Sequence, residues 1–105
     1  MMEKLVRDGK VAVLVSPDFG AGWSTWNRGN YGNELIFDPV LAAYIDEGKI
    51  DEAKTYIAMR FPEVYDGGLD DVVVHWVPVG TAFRIHEYDG SERIEIKEDI
   101  DWIVA

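Results

Sequence analysis

Residues 10–16, KVAVLVS, form an apolar run rich in β-branched side chains, with Gly9 before it and Pro17 after it. A run of this length and composition between turn residues reads as a buried strand. A buried strand must be covered, so the rest of the chain has to supply that cover. Two helical patterns follow. FDPVLAAYIDEGKI opens with Asp38 as N-cap and Pro39 at the first helical position; Val40, Leu41, Tyr44 and Ile45 share a face, and Gly48 ends the segment. Asp51 is expected to cap a second helix, DEAKTYIAMRF, with Ala53, Tyr56, Ile57 and Arg60 alongside one another and Pro62 as its stop.

The remainder reads as strands. DVVVHWVPVG alternates loosely, as a central strand covered on both faces would. TAFRIHEY places Phe83 and Ile85 inward, with Arg84, His86 and Tyr88 outward. DGS signals a hairpin turn, and ERIEIKED sets Ile94 and Ile96 against Arg93, Glu95 and Lys97. DWIVA closes the chain as a short strand or strand extension. The expected fold class is α+β: a mostly antiparallel sheet of four to five strands, with a two-helix insertion after the first strand, in one domain over residues 1–105.

Charge narrows function. Twenty acids against ten bases give a net charge of −10. Direct binding to nucleic acid, which needs clustered Lys and Arg, is not expected, nor is an anionic membrane surface. With no cysteine there is no disulfide framework and no thiolate site. No apolar run is long enough for a membrane span and no signal-peptide pattern opens the chain, so a cytoplasmic location is expected. The charge is uneven. Residues 1–35 balance at four acids and four bases, whereas 36–71 carry nine against three and 72–105 seven against three.

The neutral section holds DFGAGWSTWNRGNYG, residues 18–32, a loop that no simple connector resembles. Its GAGWST lacks the lysine of a nucleotide-binding P-loop, and Asn27–Asn30 make a poor helix start. What the composition offers is a more general anion site. Trp23 or Trp26, with Phe19, can stack a planar base, and the backbone N–H groups of Gly20 to Gly22 can meet phosphate. Ser24, Thr25 and Asn27 can bond base edges, and Arg28 or Arg84 can neutralise charge. The competing reading makes one tryptophan a core plug over which the glycines let the chain fold.

Other constellations carry less. His75 sits in an apolar strand as an expected core histidine and His86 on a solvent face, with no third ligand at a metal-binding spacing. No nucleophile–base pair stands out, so neither an enzyme nor a cofactor is expected. Glu92, Glu95, Glu98, Asp99 and Asp101 read as an exposed acidic edge. Such an edge can imitate a phosphate backbone toward a basic partner, or simply protect a strand edge.

GAGWSTWN and WVPVGTAFRIHEYDGSERIEIKEDIDWIVA resemble blocks of a family of small bacteriophage and prophage proteins, matching Val11–Asn27 and Trp76–Ala105. That resemblance implies a bacterial host cell and a role in counter-defence. The ending DIDWIVA and the paired Gly-Trp and Trp-Asn also resemble, over a shorter stretch, the sponge family that sequesters signalling nucleotides in Thoeris defence. The expected function is therefore a non-enzymatic, possible homo-oligomeric binder of a nucleotide-like signal. The alternatives are an acidic, nucleic-acid-mimicking inhibitor of a host defence protein, and a virion or assembly accessory.

Overall fold

The computed structural model describes residues 3–29 and 31–97. At its centre lies β2 (Lys10–Val15), antiparallel to β1 (Val6–Arg7) on one side and to β3 (Val73–Pro78) on the other. Side chains alternate across a strand, so Ala12 and Leu14 face one apolar cluster while Val13 and Val15 face another. All four are at most 3% exposed. The apolar run is unbroken because both faces of this strand are covered, and each fully buried Val or Leu contributes roughly 1.5–3 kcal/mol.

The first cluster is closed by helices. After a four-residue helix α1 (Glu34–Phe37), Asp38 caps α2 (Pro39–Asp46), its Oδ1 accepting from the Leu41 N–H at 2.9 Å. Its other oxygen accepts from the Tyr56 hydroxyl of α3 (Ile50–Arg60) at 2.8 Å, so a single carboxylate joins the two longer helices. Leu41, Ala42, Ala53, Ile57 and Phe61 pack with Trp23 beneath β2. Two expectations change here. Helix α3 begins at Ile50 with Lys49 as its N-cap, which puts Asp51 in the first turn rather than at the cap. Val40 turns outward, 44% exposed, because Leu41 and Ala42 take the buried positions of α2.

The second cluster is closed by a hairpin of β4 (Phe83–Tyr88) and β5 (Ser91–Ile96), a two-stranded sheet of its own. Asp89 and Gly90, both at positive φ, join Tyr88 to Ser91 in the tight turn that DGS signalled. Phe83, Ile85, Ile94 and Ile96 lie against Val13, Val15, Val77 and Phe37, with Arg84, His86 and Tyr88 exposed as expected. The fold is thus α+β with antiparallel strands and a helical insertion after the first long strand. The strands divide into two sheets. Among the described residues β3 is an edge strand rather than a central one, and His75 is exposed, not a core residue: it pairs with Val13 on the hairpin-covered face, where the hairpin reaches Val77 of β3 but leaves Val73 and His75 open. Among the described residues no helix is long and apolar enough to cross a membrane. The closing DWIVA, with Glu98, Asp99 and Asp101, lies outside the described residues.

Partial burial and the bond to Asp38 raise the Tyr56 hydroxyl from its ordinary value of 10 to about 12. A phenol held protonated in the folded chain stabilises it fully below pH 10, and that contribution disappears as pH rises to about 12. Urea unfolding across pH 8 to 12 should show wild type more stable than Tyr56→Phe at the low end, with the two curves converging at the high end.

Candidate functional site

The loop between β2 and α1 does hold an anion through its backbone, and the anion is the chain's own. Glu92, 1% exposed, accepts from the Ser16 N–H (2.9 Å), the Trp23 N–H (2.8 Å) and the Thr25 N–H (3.0 Å), and from the Thr25 hydroxyl. Its own N–H donates to Ser16 O at 2.7 Å. Glu92 is therefore no member of an exposed acidic edge. It has the strand parity of Ile94 and Ile96, which face inward, so β5 delivers its carboxylate into the loop. The Gly20 N–H is likewise taken, by Asp89 O at 2.9 Å, and Gly22 is packed against Thr25 and Trp26. Neither glycine presents a phosphate cradle to solvent.

The loop backbone is gripped from both sides. A Cβ on Gly68 would stand 2.6 Å from the carbonyl oxygens of Ala21 and Gly22, and one on Gly90 would stand 2.6 Å from Gly20 O. The tryptophans take different places. Trp23 is fully buried and its Nε1–H donates to Leu35 O at 2.7 Å, which makes it the core plug. Trp26 is 43% exposed, but it stacks on Tyr65 at 6.0 Å between ring centres, with its Cδ1–Nε1 edge over Gly22. The Asn27 amide fixes that pair, donating to Trp23 O and Tyr65 O and accepting from the Tyr65 N–H, each at 2.8–2.9 Å. Phe19 meets Tyr88 edge-on at 6.4 Å near the hairpin turn. Trp23 cannot stack a ligand, and neither Trp26 nor Phe19 lines the main cleft.

That cleft, of about 520 Å3, opens between the segment Ser24–Asn33 and the start of β4. From the expected site it gathers Ser24, Thr25, Asn27, Arg28 and Arg84. Thr25 and Asn27 spend their side chains on Glu92 and on the Trp23–Tyr65 tie, so their part is structural. Ser24, Asn33 and Thr81 supply further polar groups, over a floor of Ile36, Phe37, Phe83 and Ile85. Among the described residues Arg28 makes no ion pair. The Nε and Nη2 of Arg84 both reach Glu95 Oε2, at 3.0 and 2.9 Å. The hydrogen bond from Arg84 is the main cause that holds the Glu95 carboxyl below its ordinary range, with the charges of Arg84, His86 and Arg93 adding to it. Glu95 thus positions an arginine beside the cleft and is already partnered as an acidic-edge residue.

The decisive property of the cleft is its charge. None of its lining residues is an acid, whereas four other hollows of about 240 to 400 Å3 each include at least one Asp or Glu. In a chain with twice as many acids as bases, this is the one hollow of these five lined by basic residues and by no carboxylate, Arg28 without an ion pair among the described residues and Arg84 shared with Glu95, which favours an anion there. Sequence reasoning missed Asn33, Thr81 and the apolar floor, because these come from two distant segments, 33–37 and 81–85, that only the fold brings together. The chain matches no protein-family model, no curated protein and no solved structure.

Replacing Glu92 by Gln keeps the shape but turns an –NH2 toward donors that need an acceptor. Hydrogen bonds to a charged group contribute about 1.5–3 kcal/mol, so Glu92→Gln should lose at least that much stability in urea unfolding. Glu95→Gln, on the exposed face of the same strand, should change it by less than about 1 kcal/mol.

Proposed function

We propose that this chain is a non-enzymatic binding protein that sequesters a small, anionic, nucleotide-like molecule in the cleft between Ser24–Asn33 and β4. One observation carries the reading: Arg28 and Arg84 line a cleft of about 520 Å3 that has an apolar floor and no carboxylate, on a protein of net charge −10. The size falls within the ~300–1,000 Å3 range of small-molecule sites. The arginines meet the phosphate, Ser24, Asn33 and Thr81 bond polar edges, and Phe83 and Phe37 offer apolar surface to a base. The stacking surface is thus the cleft floor and not the indoles of the loop. Sequestration asks only for tight, reversible burial, and no proton transfer or bond cleavage is assigned to any residue. The resemblance of the GAGWSTWN and C-terminal blocks to small bacteriophage proteins supports placing this capture in counter-defence, inside an infected bacterial cell.

Isothermal titration against cyclic nucleotides and ADP-ribose derivatives tests the proposal. At least one compound should bind at a single site. Arg28→Ala and Arg84→Ala should each weaken it roughly ten- to a hundredfold, the equivalent of losing one charge-assisted contact of about 1.5–3 kcal/mol. Trp26→Ala should leave the affinity unchanged. A panel without heat rejects the reading, as does binding that depends on Trp26 and ignores both arginines.

A further inference from the structure

From Val72 to Phe83 the chain carries no Asp, Glu, Lys or Arg, its longest uncharged run. Most of that run is β3, and among the described residues β3 has a hydrogen-bonded neighbour on one side alone, β2. Its apolar residues are open as well: Val73 is 44% exposed and Val79 just beyond it 60%, with His75 exposed between them. Proteins that stay monomeric guard an exposed strand edge with charge, proline or a bulge. Here Pro78 stands at the very end of the strand, and no residue of β3 itself is an acid, a lysine or an arginine.

We infer that β3 is a self-association edge, on which a second copy of this chain pairs through its own β3, antiparallel, about a two-fold axis at His75. The register explains the choice of partner. With His75 opposite its own copy, Val73 falls opposite Val77 and Val74 opposite Trp76, so every cross-strand pair flanking the central His75 pair sets apolar against apolar. Val77 is 2% exposed and Val73 is open, so the copy's Val73 extends an apolar cluster that already exists. Charge points the same way. Two bodies of net charge −10 repel each other least where neither presents an acid, and β3 lies within the longest uncharged run of the sequence. The product is a continuous six-stranded sheet, and no residue of β3 lines the cleft. It does not depend on the proposed ligand.

Sedimentation equilibrium of the full chain from low micromolar to near millimolar concentration reads the outcome. Wild type should reach twice the 11.9 kDa chain mass. His75→Glu places like charges directly opposite one another and should raise the dissociation constant roughly tenfold or more. His75→Lys should do the same. An equimolar mixture of the two variants should dimerise again, because Glu then faces Lys. That rescue also excludes misfolding as the cause of dissociation. A wild type that stays monomeric at every concentration overturns the inference. Dimers that persist in His75→Glu, or a mixture that stays monomeric, overturn it too.

Discussion

The Glu92 carboxylate organises this molecule out of proportion to its size. A two-stranded hairpin is marginal by itself, and a glycine-rich loop loses a great deal of entropy when ordered. Glu92 meets both demands at one point. It receives donors from the end of β2 at Ser16 and from the loop at Trp23 and Thr25, while its own backbone is bonded to Ser16. A buried charge is tolerable only when its lone pairs are satisfied, and four donors accomplish that. Trp23 is therefore set down into the core, Leu35 receives its indole N–H, and the hairpin is brought onto the valines of β2.

This arrangement also decides where a ligand can go. The backbone N–H groups of Gly20, Trp23 and Thr25 are used internally, Gly22 is buried, and each loop indole has a partner already. What remains for binding is the far side of the same loop, where Ser24 and Arg28 look across at Thr81 and Arg84. The excess acid of the chain sharpens that cleft by contrast, because at least one carboxylate lines each of the four other hollows and none lines this one.

Much of the fold was legible because local rules and tertiary packing agree there. The run KVAVLVS demands two covered faces and has them. Asp38 followed by Pro39 states a helix start, and Asp89–Gly90 states a two-residue hairpin. The same Asp-Gly signal stands at Asp8–Gly9, also at positive φ, and marks the β1–β2 hairpin that went unread because β1 is only two residues long. Glu92 was misread for a different reason. Its parity with Ile94 and Ile96 places it inward, yet a carboxylate on a strand is ordinarily solvated, and residue type was allowed to outweigh the alternation. The loop tryptophans were ambiguous by nature, since a buried indole needs an acceptor for its N–H and the Leu35 carbonyl exists as a neighbour only in the folded chain. Half of the cleft was beyond reach for the same cause.

The glycines at positions 68 and 90 give the Gly20–Gly22 segment a character its composition conceals. The carbonyls of that segment stand only 2.6 Å from where a Cβ would sit at either glycine, so the segment lies close against both the hairpin turn and the turn that carries Gly68. A protease must draw several residues of substrate chain into an extended form before it cuts, and this stretch has no slack to lend. A segment spelled like a linker is consequently seated between two turns, and a side chain at position 68 or 90 would have to be accommodated by the body around it rather than by the loop alone.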